Sequence, residues 1–178
     1  MKILIAEDEL FSRSVLRRVL LTWGHEVEGA SDGEEAWEIL RENSSPRLAL
    51  LDWVMPNMAG IDVVRKVRES PWNRERYVYI ILLTQKDSKG DLVEGLAAGA
   101  DDYVIKPFDH NELQVRIRSG QRIIELQSAL ADSNAELRAA LAQVKKLSGF
   151  LPICAHCKKI RDDAGYWQQI EEYIRDHS

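Results

Sequence analysis

At 178 residues and a net charge of −5, the chain has room for one domain with a full core plus an appendage, but not for two large domains. The acidic balance excludes a general electrostatic attraction to DNA, RNA or anionic lipid, so neither nucleic acid nor a membrane is expected as a partner. No run approaches the ~20 apolar residues needed to span a bilayer, and Met1-Lys2 leads within a few residues into Glu7-Asp8-Glu9 instead of a signal peptide, so the expected location is the cytoplasm.

Taken in order, the first hundred residues alternate between apolar strand-like runs and segments of helical period, which is the pattern of βα units wound about a parallel sheet. Lys2–Ala6 (KILIA) reads as a strand, and Phe11–Leu21 as a helix with Val15, Leu16, Val19 and Leu20 on one face. His25–Ala30 is a weaker alternating strand closed by Ser31-Asp32-Gly33, followed by a short helix over Glu34–Arg41 carrying Ala36, Trp37 and Leu40. Leu48–Leu51 runs straight into Asp52. After a loop containing Pro56, Ile61–Val67 supplies a helix with Val63, Val64 and Val67 inward. Tyr77–Leu83 (YVYIILL) is the most strand-like segment and is expected at the buried centre, ending at Thr84. A helix over Lys89–Ala98 is stopped by Gly99, and a last short strand, Tyr103–Ile105, ends in Lys106-Pro107.

In a doubly wound sheet the functional crevice lies beyond the carboxyl ends of the strands, so strand-terminal residues converge there. Here those residues are Glu7 and Asp8, Asp52, Thr84 and Lys106. Three carboxylates, a hydroxyl and an ammonium suit an oxygen-ligated divalent cation beside a phosphoryl group, because the cation relieves carboxylate repulsion and shields an incoming phosphate.

These residues, in this order, resemble the receiver domains of bacterial two-component response regulators (CheY-like). The resemblance rests on Glu7-Asp8-Glu9 after the first strand, Leu50-Leu51-Asp52 with Met55-Pro56, Leu83-Thr84, Ala100-Asp101-Asp102-Tyr103, and Lys106-Pro107-Phe108, and it covers residues 1–118. It implies a flavodoxin-like α/β fold with five parallel strands in the order 2-1-3-4-5. It further implies that Asp52 takes a phosphoryl group from a histidine kinase, and that Mg²⁺ is held by Glu7, Asp8, Asp52 and the backbone carbonyl of Val54. Lys106 and Thr84 would engage the phosphoryl group and Tyr103 would turn with them, altering the outer surface. The Lys106–Pro107 peptide is implied to be cis. Such a protein turns over no external substrate beyond self-phosphorylation from small phosphodonors and loss of its own phosphoryl group. The sequence departs from the common pattern at Gln85, where a small residue is usual, at Ala59, where an acid is frequent, and at Trp53, a bulky aromatic directly after Asp52; these bear on access to the phosphoryl group and on kinase docking.

From about Asn111 to Leu147 the pattern becomes one long helix containing a single glycine, Gly120. Ile123, Leu130, Leu137 and Val144 recur every seven residues, with Leu126, Leu141 and Leu147 nearby, which favours a left-handed coiled coil and hence a homodimer. If that seam is the d position, Asn134 falls at a and favours two parallel strands. The expected division is therefore receiver 1–118, coil 119–148 and tail 149–178. The tail carries Cys154-x-x-Cys157, half of a zinc site, and a short amphipathic helix is expected through Trp167, Ile170 and Ile174. This tail resembles a cysteine-containing segment that ends various bacterial signalling proteins, in which a second cysteine pair usually follows. The resemblance implies a longer natural chain; His156 or His177 are other candidate ligands. Alternative readings are the regulatory fragment of a larger output enzyme, a Mg²⁺-dependent phosphatase on the same α/β plan, and a metal- or redox-sensing module built on Cys154 and Cys157.

Overall fold

A computed structural model describes residues 1–42, 44–74, 76–85 and 89–148, and within the tail residues 154, 156–161, 167–169 and 171–172. The elements run β1 (Lys2–Ala6), α1 (Leu10–Thr22), β2 (Glu26–Ala30), α2 (Gly33–Arg41), β3 (Leu48–Asp52), α3 (Gly60–Glu69), a single 3₁₀ turn (Pro71–Arg74), β4 (Tyr79–Thr84), α4 (Lys89–Ala97), β5 (Asp102–Ile105) and α5 (His110–Ser148). Two further short strands, β6 (Ile160–Arg161) and β7 (Trp167–Gln168), pair antiparallel in the tail. The chain divides into two compact units, Met1–Ala131 and Asp132–Ser178.

In the first unit, five parallel strands lie in the order β2-β1-β3-β4-β5, the order the sequence resemblance implies. The period of two along each strand sorts side chains to opposite faces. Ile3, Ile5, Leu48, Leu50, Ile81 and Leu83 pack under Leu16 and Leu20 of α1 and Leu113, Ile117 and Ile124 of α5. Leu4, Ala6, Ala49, Leu51, Ile80 and Leu82 face Ala36 and Leu40 of α2 and Val63, Val64 and Val67 of α3. Covering on both faces is why these strands read as unbroken apolar runs. The central position belongs to β3, not to β4 as Tyr77–Leu83 suggested, although both strands are buried throughout. Strand composition reports burial on two faces, and β4 has that without sitting in the middle. On α1 the expected inward face narrows to Leu16 and Leu20, while Val15 is exposed.

Two glycines permit the backbone geometry around the strand ends. Gly99 takes φ +102° after α4, where a side chain would also meet Arg68. Gly60 lies against the backbone carbonyl of Asp52, leaving no space for a Cβ, and its N–H donates to the Trp53 carbonyl at 3.0 Å. In the tail, Trp167–Gln168 forms a strand where the helix was expected to begin, paired with Ile160–Arg161, while Glu171 and Glu172 further along are helical. Ile170, Ile174 and His177 lie outside the described residues.

Candidate functional site

Parallel register places the ends of β1, β3, β4 and β5 side by side. Asp52 is paired with Leu83, and Thr84 with Ile105; the Trp53 N–H donates to the Leu83 carbonyl at 2.8 Å and the Lys106 N–H to the Thr84 carbonyl at 2.7 Å, extending the ladder into the loops. The residues immediately at or after these ends are Glu7, Asp8, Asp52, Thr84 and Lys106, so every strand-terminal residue singled out from sequence is brought to one rim. Each of Glu7, Asp8 and Asp52 presents a carboxylate oxygen within 4.8 Å of the others. Glu7 and Asp52 are buried, Thr84 is wholly enclosed, and Asp8 is open to solvent. The Lys106–Pro107 bond is cis, as the resemblance implied.

Lys106 Nζ donates to Glu7 Oε2 at 2.5 Å and to Asp52 Oδ2 at 2.8 Å. Burial by itself would lower the lysine pKa, but the hydrogen bonds it donates to Asp52 and Glu7, backed by their charges, hold it above its ordinary value. Glu7 moves the other way from the usual carboxylate: burial pushes its pKa up, aided by the neighbouring Asp52, and Lys106 only partly opposes this. Arg13 on α1 donates to the Glu7 carbonyl and, at 3.4 Å, to the Asp8 carbonyl, holding the backbone of the acidic loop. Three carboxylates facing one ammonium leave the rim short of positive charge. That donor set, hard oxygens with one open to solvent, fits a divalent cation of the Mg²⁺ type. Among the described residues it is the one cluster of three or more such ligands.

Around the rim, Trp53 is buried and lies against the helix α4 near Gly95, and Val54 is exposed. Gln85 is exposed and lines an open groove of about 630 Å³ beside Phe11, Lys106 and Phe108. Ala59 is the N-cap of α3 and makes no side-chain cap. Tyr103 is half-buried; the Arg116 guanidinium sits 6.0 Å from its ring centre while pairing with Asp102 at 2.6 Å.

One polar network was not anticipated beyond its sequence motif. Asp101 accepts from Arg68 Nη2 at 2.7 Å, from the Ile80 N–H at 2.7 Å and from the Tyr77 hydroxyl. The same Arg68 guanidinium donates to the carbonyls of Gly99 and Val78. It ties α3, β4 and the turn before β5 into one frame behind the site. The only prior signal was Asp101 itself within Ala100-Asp101-Asp102-Tyr103; Arg68, on a helix with charged neighbours, looks like a surface residue.

A family model for the response regulator receiver domain matches residues 3–118. The phosphate regulon transcriptional regulatory protein PhoB of Rhizobium meliloti is 42% identical over 118 residues, 66% of this chain and 51% of that protein. Chemotaxis protein CheY1 of Helicobacter pylori (strain J99) is 36% identical over 118 residues, 66% of this chain and 94% of that protein. The chain spans about half the length of the transcriptional regulators it matches. Among solved structures, a putative response regulator from Chloroflexus aurantiacus aligns at a TM-score of 0.62 with 31% identity, over 67% of this chain and 95% of that one. A probable two-component system response regulator/GGDEF domain protein aligns at 0.64 with 30% identity, over 70% of this chain and 50% of that one.

Proposed function

The chain belongs to the response regulator receiver family, and from that membership we propose that Asp52 is the phosphoacceptor of a two-component relay, charged by a histidine kinase. The single observation that carries this reading is Lys106, at the end of β5, bridging Glu7 and Asp52 at a rim of three carboxylates gathered from the ends of β1 and β3.

The chemistry follows from the groups in place. An Asp52 carboxylate oxygen attacks the phosphorus of phosphohistidine, the P–N bond breaks, and the imidazole leaves with its electron pair and takes a proton from solvent. Glu7, Asp8, Asp52 and the Val54 carbonyl would hold Mg²⁺, which when bound supplies positive charge against the carboxylates and the entering phosphoryl group. Lys106, already raised in pKa and cationic, turns from Asp52 to the phosphoryl oxygens. Thr84, at the end of the neighbouring strand, is placed to donate its hydroxyl to them. The Tyr103 ring, half-buried against the core with Arg116 over its outer side, then follows Thr84 inward and changes the surface of β5 and α5. Buried Trp53 and exposed Gln85 narrow the approach to Asp52 and set how readily water reaches the acyl phosphate.

Output passes to residues 119–148. Leu126, Leu130, Leu137 and Leu141 are 64%, 57%, 60% and 55% exposed, and on an α-helix their spacing gathers them within roughly 60° of arc. That apolar stripe supports a parallel homodimer through α5. The match to half of a longer two-domain regulator keeps a second reading in view, in which the chain is the regulatory part of a larger output protein. No helix among the described residues is long and apolar enough to cross a membrane.

The test is phosphorylation of the purified chain by a small phosphodonor with Mg²⁺, read by intact mass. One hydroxylamine-labile phosphoryl group that disappears in Asp52→Asn is expected. Retention of the label in Asp52→Asn, or no label in the parent protein, would overturn the assignment.

A further inference from the structure

The loop from Trp53 to Ala59 leads from Asp52 into α3 and carries the Val54 carbonyl. At its far bend Asn57 is left-handed, with φ +64°, and the Met58 N–H donates to the Pro56 carbonyl at 2.7 Å. A turn closed across a single left-handed residue is rare and strained. Asparagine tolerates that backbone better than most residues, yet such strain persists only where the surroundings impose it.

The constraint comes from the neighbouring β2–α2 turn. Asn57 Nδ2 donates to Asp32 Oδ2 at 2.9 Å, while Asp32 Oδ1 accepts the Glu35 N–H at 2.8 Å and so caps α2. Glu35 Oε2 in turn accepts from the Ser31 N–H and hydroxyl, both at 2.7 Å, a reciprocal arrangement that fixes the turn from which Asp32 projects. Gly33 lies against the next residue of the loop, since a Cβ there would stand 2.0 Å from the Met58 carbonyl oxygen. Asn57 and Met58 are thus both seated on the start of α2. Asp32 and Asn57 are exposed, so water competes for their hydrogen bond and it adds little to global stability; its consequence is where the loop sits.

We propose that Asp32 and Asn57 are positioning residues of the phosphoacceptor site, which pin the bend at Asn57 to the start of α2 and thereby set the Val54 carbonyl for a divalent cation. The inference rests on the reading of Glu7, Asp8, Asp52 and the Val54 carbonyl as the Mg²⁺ ligands. Neither side chain stands among the clustered carboxylates, so both act through the loop backbone. Removing a group that orients a metal ligand from outside weakens metal binding by about 10–100-fold, and an exposed tether belongs at the lower end of that range.

Mg²⁺ binding to the full chain is measured by isothermal titration calorimetry, beside the rate of phosphorylation by acetyl phosphate as a function of Mg²⁺. Asn57→Gly keeps the left-handed backbone and loses the amide, whereas Asp32→Ser keeps a cap for α2 and is too short to reach Asn57. Each is expected to weaken Mg²⁺ binding about tenfold, and the double variant no further, because the two side chains act through one hydrogen bond. At saturating Mg²⁺ the phosphorylation rate should stay within about twofold of the parent's. A merely structural role would lower the saturated rate and the metal-free urea midpoint and leave Mg²⁺ affinity in place. Parental Mg²⁺ affinity in both single variants, or effects that multiply in the double variant, would overturn the positioning role. Asp52→Asn separates this from the reading beneath it. If that variant binds Mg²⁺ as tightly as the parent, the site itself is misassigned and the inference falls with it; if it binds weakly while both tether variants match the parent, the tether alone is refuted.

Discussion

Replacing Lys106 with Met keeps most of the side-chain volume and removes the one ammonium that, among the described residues, contacts both Glu7 and Asp52. At distances of 2.5 and 2.8 Å each pairing is worth about 6 kcal/mol at an effective dielectric near 20. Most of that gain offsets the cost of burying the charges, and removing one partner of a buried pair leaves a net loss of about 3–5 kcal/mol. Against a domain stability of about 5–15 kcal/mol, the loss is readily measured by urea unfolding. The pH dependence separates charge from packing. Burial raises the Glu7 pKa above its ordinary 4.5, so its ionised form costs stability above the folded pKa, and that cost fades as the pH falls through the raised value. Without Lys106 the carboxyl rises further, so Lys106→Met should be most destabilised near about pH 8 and should recover more than half of the loss near about pH 5. In the parent protein the lysine contribution is fully present below 10.5, its ordinary value, and is lost as the pH rises through the raised folded pKa. An equal loss at about pH 5 and about pH 8 would show that the methylene stem, not the ammonium, matters here, and would refute the electrostatic account.

Asp101→Ala strips Arg68, Tyr77 and the Ile80 N–H of a common acceptor and should cost about 3–5 kcal/mol in chemical denaturation; a loss under about 1 kcal/mol would mean that water replaces the carboxylate. Ala59→Asp gives α3 the cap it lacks and should stabilise by about 1 kcal/mol, seen as a higher urea midpoint at unchanged slope. Gly60→Ala forces a methyl into the Asp52 carbonyl and should lower both stability and the rate of phosphorylation from a small donor, whereas a rate equal to the parent's would show that the loop yields without moving Asp52. Asp52→Asn removes one of three clustered carboxylates, so it should raise the melting temperature without Mg²⁺ and shrink the further rise on adding Mg²⁺; an undiminished Mg²⁺ effect would place the cation elsewhere.

The sheet and its rim were legible because period and punctuation encode them locally. Runs such as Lys2–Ala6 and Leu48–Asp52, bounded by polar loops, read as strands covered on both faces, and parallel pairing then brings Glu7, Asp8, Asp52, Thr84 and Lys106 to one edge. Charge type at those ends pointed to a divalent cation beside a phosphoryl group, and the resemblance to receiver domains implied the rest of the functional reading. Asp101 with Arg68, and Tyr103 with Arg116, could not be read this way, because each pair spans separate elements and the spacing in sequence carries no record of it. The same holds for Trp167, where a strand partner supplied by Ile160–Arg161 takes the start of the segment and leaves helix only further on, at Glu171 and Glu172. Sequence by itself determined which side chains stand at the strand ends, since the βα alternation places them beyond the carboxyl ends of parallel strands, and the order of those strands came with the resemblance to receiver domains. Only the tertiary structure decided how those groups are charged and held, because burial of Glu7 and the reach of Lys106 depend on what packs against them from distant parts of the chain.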